Sequence, residues 1–301
     1  MAIVAKQVAI LALFALVGFI LAKTGKVDVA HAKLLSTLEV FLCFPCTVFK
    51  TFAANFTIPY LGEKYPSILI STVMLSAVAI VSRKLSRKLS SNKYEQDVYC
   101  YTLVVPNTGY MGSALVGSLY GQAVLLNQMM FNLPVTFYTY TEGYRMLTGG
   151  EKMTLKRLIN PVVTALFLGC IVGVFSIPIP DVFMSVIDGA DSCMAPLSMI
   201  LTGIAISEFD LRVLLKNKMV YLTTFLRLIV LPFGMAFLAS RFFSREIVLA
   251  VIMQYAMPCG LNTIVFPKLI GENVELGAGM ALISNVAAIL TIPLCVQVFL
   301  G

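Results

Sequence analysis

Charged residues are scarce in this sequence. They make up 12% of its 301 residues, against roughly 25% in a soluble domain, and hydrophobic residues make up 59%. Long apolar runs recur from one end of the chain to the other. The composition therefore excludes a soluble protein with a single anchor and indicates a polytopic protein embedded in a lipid bilayer.

Histidine occurs once, as His31, and tryptophan is absent. Acid–base catalysis inside a membrane would need convergent His, Asp or Glu side chains, which the apolar spans lack, so we do not expect an enzyme. Without tryptophan, the interfacial belts must use tyrosines such as Tyr60 and Tyr144. Cys43 and Cys46 form a CFPC motif, but no second Cys or His pair accompanies it. We therefore expect no metal site and no cofactor.

The net charge of +7 follows membrane topology and does not indicate a nucleic-acid partner. Sixteen of the 22 Lys and Arg residues lie in odd-numbered loops between apolar spans, and five lie on the even side. The positive-inside rule then predicts a multi-pass protein of the cell membrane with both termini extracytoplasmic. Ten spans of ~20 residues fit the pattern, near 5–22, 32–53, 65–82, 96–120, 122–146, 157–176, 190–207, 217–240, 246–270 and 274–299.

Two of the apolar spans contain residues that interrupt a helix. The stretch 104–121 reads VVPNTGYMGSALVGSLYG, and the stretch 256–271 reads AMPCGLNTIVFPKLIG. Pro106 and Pro258 each lack a backbone donor, and the adjacent glycines tolerate non-helical dihedrals. A membrane accepts such a break only where protein or a water-filled cavity satisfies the freed backbone groups. Broken helices at mid-membrane depth are where secondary transporters build substrate sites.

An internal repeat relates the two halves of the chain. Three pairs of helix-disturbing or polar residues have nearly one separation: Pro106 and Pro258 (152), Pro45 and Pro196 (151), and Asn132 and Asn285 (153). Ten spans divide into two sets of five, and an odd number makes the second set enter the membrane in the opposite sense. We predict an all-α polytopic membrane protein with ten transmembrane helices in two inverted five-helix repeats. The repeats are 1–147 and 157–301, joined by a cytoplasmic connector at 148–156.

The breaks supply the predicted substrate site. A half-helix N-terminus offers free amides and partial positive charge, which suits a carboxylate. Asn107 adds two side-chain donors without a permanent charge, although its role in a simple helix cap is an alternative. The predicted substrate-binding set is Pro106, Asn107, Thr108, Asn132, Pro258, Gly260, Asn262 and Asn285. Asn132 and Asn285 either line the cavity or only tie helices together, and these alternatives stay open.

Three further ionisable residues lie in or near spans. Lys50 and Glu142 sit near predicted span ends, where snorkelling towards water is the simpler interpretation. Arg227 lies deeper, where it would either attract an anion or pair with a backbone carbonyl. His31 is expected to be a solvated loop residue.

The motif PNTGYMGSALVGSLYG, beginning at Pro106, resembles the pattern of auxin efflux carriers. MPCGLN and ISNVAAILTIPL resemble the ninth and tenth helices of that family, and FPCTVF and APLSMILTG resemble the second and seventh. The resemblance covers essentially the whole chain. The long central loop of the plant PIN-FORMED members is missing, so the chain is similar to the compact, microbial branch. Ser113 and Ala114 stand where the family often has a proline.

The resemblance implies an architecture and a mechanism. Helices 4 and 9 would cross at their breaks beside the substrate. Helices 1, 2, 6 and 7 would form a scaffold, and helices 3–5 and 8–10 a moving transport domain. The resemblance also implies a homodimer, elevator-like alternating access and export of a small organic anion, such as an auxin-like or dicarboxylic acid. An alternative is a sodium- or proton-coupled carrier of the same architecture, although neither break contains the Asp or Glu expected of a proton antiporter.

Overall fold

The structure is a computed structural model that describes residues 2–28, 30–150, 161–210, 212, 216–260, 262–268 and 271–301. The side chains of residues 2, 30–33, 110 and 268 also lie outside the description, and this includes His31. Within the described ranges the chain is helical, and strand-like pairing is limited to one isolated bridge. The predicted all-α class is confirmed for this part of the chain. Most of the predicted connector, 151–156, lies outside the described residues.

Long apolar helices make up the first half of the chain, as the composition predicts. Their bounds are α1 (Ala2–Lys23), α2 (Ala30–Leu38), α3 (Phe44–Asn55), α4 (Ile58–Leu89), α5 (Lys93–Val104), α6 (Ser113–Tyr138) and α7 (Tyr144–Leu147). Helix α6 contains a kink at Gly121, whose φ of 80° and ψ of −179° are accessible to glycine. The kink falls between the predicted fourth and fifth spans.

The second half of the chain follows the same pattern of long and interrupted helices. The bounds are α8 (Pro161–Phe175), α9 (Asp181–Ser207), α10 (Lys218–Phe225), α11 (Leu231–Phe242), α12 (Arg245–Tyr255), α13 (Asn262–Lys268) and α14 (Glu275–Leu300). The last predicted span, 274–299, therefore corresponds to α14, and the predicted span 246–270 is divided between α12 and α13.

Six of the described helical stretches are long and apolar enough to cross a membrane: Ile3–Lys23, Leu34–Asn55, Ile58–Leu89, Asp181–Ser207, Lys218–Phe242 and Glu275–Leu300. Pro161–Phe175 is apolar but shorter. The remaining predicted spans lie on helices that are interrupted, such as α5 with 12 residues and α12 with 11. The protein is a multi-pass membrane protein, and its division into ten spans remains a prediction.

Four π-helical segments widen the described helices: Glu39–Cys43, Thr108–Gly112, Thr139–Gly143 and Leu226–Val230. Two of them immediately precede a proline-containing helix start, at Pro45 and Pro232. A proline removes one donor from the helix ladder and its ring clashes with the carbonyl four residues earlier. The wider π turn accommodates both effects, and such bulges often occur at functional sites.

Two glycine contacts hold the helices of one side of the molecule close together. A Cβ atom on Gly18 of α1 would overlap the backbone carbonyl of Ile200 in α9, and a Cβ on Gly169 of α8 would overlap the backbone of Phe49 in α3. Small residues at such crossings let helix backbones approach closely in a membrane. The glycines are separated by 169 − 18 = 151 residues and their partners by 200 − 49 = 151. The same contact therefore occurs twice, with each half of the chain supplying each role once.

Candidate functional site

The first interruption begins at the end of α5. The Val105 amide still donates to Tyr101 O at 2.7 Å, but Pro106 has no amide hydrogen with which to continue the ladder. The Asn107 amide instead donates to Pro258 O, 2.8 Å away in the second interruption. The helix resumes when the Gly112 amide donates to Asn107 O at 2.9 Å. The freed backbone groups of this break are therefore satisfied partly by the other break.

The second interruption begins at the end of α12. Beyond Tyr255 the chain passes through Pro258 and Cys259, and Pro106 and Cys259 form an isolated antiparallel bridge. The Cys259 amide donates to Ser284 Oγ at 3.0 Å. The interruptions predicted at Pro106 and Pro258 are thus both present, and they contact each other through their backbones.

The buried side chain of Asn107 has an amide donor that no described residue accepts. The backbone carbonyl of Asn107 accepts the first hydrogen bond of the following π-helical segment, from the Gly112 amide. Its side chain is only 3% exposed, and among the described residues Nδ2 has no hydrogen-bond partner. Buried amide groups are nearly always hydrogen-bonded, so a free donor at the crossing indicates a place where a ligand acceptor fits.

Asn132 is hydrogen-bonded to the first break, whereas the side chain of Asn285 bonds within its own helix. Thr108 Oγ1 donates to Asn132 Oδ1 at 2.9 Å, and Asn132 Nδ2 donates to Thr136 Oγ1 at 3.1 Å. Asn132 is therefore joined to the crossing. Asn285 Nδ2 instead donates to Ala281 O at 2.7 Å, one turn earlier in its own helix.

Two predicted residues of the second break, Asn262 and Gly260, lie against α5 and the first break. Asn262 Nδ2 donates to the hydroxyl oxygen of Tyr101, 3.1 Å away on α5. A Cβ atom on Gly260 would lie 3.7 Å from the Cα of Asn107, so Gly260 faces the backbone of the first break. The ring of Tyr101 is fully buried and leaves no room for a side chain at Gly143.

Arg227 is the charged group of the crossing, and it is fully buried. Its guanidinium donates three hydrogen bonds to backbone carbonyls: Nη1 to Leu103 at 2.9 Å, Nε to Met257 at 3.1 Å and Nη2 to Gln254 at 3.3 Å. Leu103 lies in the last turn of α5, and Gln254 in the last turn of α12. One cation therefore satisfies carbonyl groups that both helices leave free at their C-termini. Of the two alternatives for Arg227, the structure has it paired with carbonyls.

Two groups that the structure adds to the crossing are absent from the predicted substrate-binding set. Ser284 holds the Cys259 amide, and it lies 284 − 132 = 152 residues after Asn132, so the repeat offset was a usable signal. Ser113, where the family often has a proline, donates its hydroxyl to Thr108 O at 3.1 Å. A proline at this position could not make this bond.

The crossing is closed in this conformation. Asn107, Thr108 and Cys259 are all buried, with at most 5% of their surface exposed. A cavity of about 590 Å³ lies apart from the crossing, between apolar residues of α1, α12 and α14 that include Val4, Leu249 and Val296. We assign the candidate site to the crossing because the polar groups converge there, whereas this cavity is lined mainly by hydrocarbon.

Lys50 and Glu142 form ion pairs away from the crossing. Lys50 Nζ lies 2.8 Å from carboxylate oxygens of both Asp188 and Asp191 on α9. Glu142 accepts two hydrogen bonds of 2.7 Å from Arg145, one turn further along the chain. Both side chains therefore find charged protein partners in addition to the solvent that the sequence interpretation assigned to them.

The chain is similar to known proteins over nearly its whole length. The model of a family described as membrane transport protein matches residues 3–154 and 145–296. The chain is also 23% identical, over 301 aligned residues, to an uncharacterized transporter of Methanocaldococcus jannaschii. That alignment covers 95% of this chain and 96% of the archaeal protein.

Proposed function

Because the chain belongs to the membrane transport protein family, we propose that it exports a small organic anion through the helix crossing, as a secondary transporter or facilitator. Membership of this family agrees with the resemblance to auxin efflux carriers and makes the protein a transporter, not an enzyme. The proposed substrates are auxin-like or dicarboxylic acids. An inside-negative potential would drive an anion outwards by ~2.3 kcal/mol per charge for each 100 mV.

The charge balance at the crossing is the observation that carries this proposal. Each interrupted helix brings a negative C-terminal end and a positive N-terminal end to the break. Arg227 occupies carbonyls at both C-terminal ends, those of Leu103 and Gln254. The N-terminal end that begins at Thr108 is left with its partial positive charge, next to the free amide donor of Asn107. Such a site favours a carboxylate.

The same contacts argue against a sodium ion bound by these carbonyls. Broken-helix transporters use unwound carbonyls and C-terminal helix ends as sodium ligands. Here three such oxygens accept hydrogen bonds from Arg227. A sodium ion would have to displace a guanidinium or sit beside its positive charge. The sodium-coupled alternative is therefore the weaker of the two coupled mechanisms.

The proposed architecture has ten spans in two inverted five-helix repeats with both termini extracytoplasmic. The paired glycine contacts support it, because a two-fold axis between repeats would generate the Gly169–Phe49 contact from the Gly18–Ile200 contact. Helices α1, α3, α8 and α9, which make these contacts, would form the scaffold. The remaining long helices would form the moving domain of an elevator, and two scaffolds would meet in a homodimer.

Purified protein in liposomes tests the proposed function. A thermal-shift screen of indole-acetate, malate, malonate and related acids selects an anion, whose flux is then measured under an imposed membrane potential. We expect saturable, potential-dependent flux that Asn107→Ala abolishes while dimerisation and expression persist. Asn55→Ala is the matched control, because within the described part of the chain the Asn55 amide donates to Thr51 O of its own helix at 2.9 Å. Unchanged flux in Asn107→Ala would remove Asn107 from the site, and no flux of any acid by the native protein would overturn the proposal.

A further inference from the structure

A carboxyl group that the sequence interpretation overlooked is buried among the scaffold helices. Glu39 is the first residue of the π-helical segment Glu39–Cys43, and none of its surface is exposed. No ion pair to it is found among the described residues. An ionisable side chain at such depth in a membrane protein is a functional hypothesis by default, because an unpaired charge there is costly.

The hydrogen bonds around Glu39 indicate which protonation state the packing suits. One carboxyl oxygen contacts the hydroxyl of Ser198 on α9, and the other, Oε2, has no partner in the described structure. The Ser198 hydroxyl also lies 2.7 Å from Met194 O, one turn earlier in the same helix. A hydroxyl has one hydrogen and a backbone carbonyl has none, so Ser198 must donate to only one of these neighbours.

A protonated carboxyl resolves this competition. The Glu39 O–H then donates to Ser198 Oγ, and the Ser198 O–H donates to Met194 O, so both contacts are hydrogen bonds. An ionised carboxyl would take the Ser198 hydrogen, leave Met194 O without it, and remain a buried charge without a cation. The contacts and the burial therefore both favour the neutral acid in this conformation.

We propose that Glu39 is a proton-binding site of the carrier, occupied in this closed conformation and emptied when its surroundings open to water. This inference rests on the proposed export of an organic anion and names the ion that would be coupled to it. On release the carboxyl loses its proton to water and becomes a carboxylate, and the Ser198 hydroxyl rotates from Met194 O to the carboxylate. The step transfers one proton and involves no oxidation or reduction.

The surroundings of Glu39 connect it to the crossing. Its π-helical segment runs directly into Phe44, and a Cβ atom on Gly109 of the first break would lie 3.6 Å from the Phe44 ring. Helix α9, which carries Ser198, packs against both the Glu39–Cys43 and the Thr108–Gly112 segments. Movement of the broken helix along the scaffold would therefore change what covers the carboxyl.

Other titratable groups near Glu39 do not replace it. Cys43 lies in its own segment, and the helices packed against that segment carry thiols and one ion-paired group: Cys46 on α3, Cys170 on α8, Cys193 on α9, and Lys50 with Asp188 and Asp191. The side chains of His31 and Lys33 on α2 are outside the described residues. The aspartates already share a lysine, whereas Glu39 has a buried carboxyl oxygen without a partner among the described residues.

Glu39→Gln tests the inference, because an amide keeps the shape and the hydrogen bond to Ser198 but cannot release a proton. Flux of malate or indole-acetate is measured in liposomes with a pH gradient and no membrane potential. We expect the gradient to raise the flux several-fold in the native protein and in Glu63→Gln, which neutralises an exposed acid on α4. In Glu39→Gln the gradient should have no effect while anion binding in a thermal-shift assay is retained. An equal response to the gradient in Glu39→Gln, or none in the native protein, would overturn the coupling role.

Infrared difference spectroscopy separates this inference from the proposed function. The native spectrum minus that of Glu39→Gln should contain the C=O stretch of a protonated carboxyl at neutral pH, whether or not an anion is present. Carboxylate bands in its place would show that Glu39 is ionised and would overturn the proton site directly. If no acid is transported but the protonated band is present, the proposed function and the coupling role fail, and the proton-binding site itself stands.

Discussion

The two helix interruptions have the same backbone plan but different side-chain chemistry. Each places a proline at the crossing and contributes carbonyls to Arg227. The offset of 152 residues that relates Pro106 to Pro258 also relates Asn107 to Cys259. Asn107 presents a free amide donor, whereas the Cys259 thiol lies 3.6 Å from the hydroxyls of both Thr102 and Thr263.

This difference indicates that the two breaks have different roles. The backbone amide of Asn107 pairs with Pro258 O, but that of Cys259 is held by Ser284. The Cys259 amide is therefore satisfied within its own half of the chain, and its thiol acts as a small packing group. The Asn107 amide is satisfied by the other break, and the Asn107 side chain has a donor left for a ligand. We infer that the first break recognises the substrate and the second supports it.

The largest expected effect comes from the residue that serves both breaks. Arg227→Met leaves three buried carbonyls without donors and should lower stability by about 3 kcal/mol or more, since each unsatisfied buried acceptor costs about 1–3 kcal/mol. Arg227→Lys should recover only part of this loss, because an ammonium lacks the planar fork that reaches three acceptors. Thermal melting in detergent measures both, with the exposed Arg241→Met as the control. A melting temperature for Arg227→Met equal to that control would refute the shared cap.

The next prediction distinguishes the contributions of the two breaks to anion binding. Loss of a neutral donor to a charged ligand costs about 1.5–3 kcal/mol, so Asn107→Ala should weaken anion binding by roughly ten- to a hundredfold. Cys259→Ala removes only a small packing group and should change binding by less than about threefold, since under 1 kcal/mol is at stake. Isothermal titration with the anion found in the screen compares them. Equal losses in the two variants would mean that both breaks contact the ligand.

The lengths of the apolar runs and the proline positions were enough to locate several of the helices and both breaks. The predicted span 5–22 lies within α1, and the breaks at Pro106 and Pro258 are where the sequence indicated. These features are local, because an apolar run of a given length specifies a span and a proline interrupts its own helix. The contact between the breaks came from the family resemblance, and the structure contains it.

The partners of buried polar groups were beyond the sequence. Arg227 was recognised as deep, but its acceptor Leu103 is 124 residues away, and nothing local specifies which carbonyls a guanidinium meets. Glu39 was passed over although it lies inside the predicted span 32–53. Its burial depends on α9, whose Ser198 lies 159 residues later. Such pairings follow from how the two halves pack, not from either half alone.

A smaller effect should test whether the halves are equivalent. Gly18→Ala and Gly169→Ala each add a Cβ against a neighbouring backbone, which cannot yield as a side chain can. Overpacking of this kind costs about 1–3 kcal/mol, and a two-fold relation predicts similar losses at the two sites. Melting temperatures measure them, and Gly189→Ala is the control because a Cβ there meets nothing within 4 Å. A loss confined to one glycine would argue against equivalent repeats.

The smallest effect concerns which residue of α14 secures the second break. Ser284→Ala should cost about 1 kcal/mol, because the buried Cys259 amide loses its acceptor. Asn285→Ala should cost less, on the order of 0.6 kcal/mol or below, because Asn285 bonds within its own helix. Melting temperatures rank the two, and anion binding adds a second readout, since a cavity-lining Asn285 would weaken binding without affecting stability. That outcome would mean that Asn285 contacts the ligand and that the second half of the chain takes part in substrate recognition.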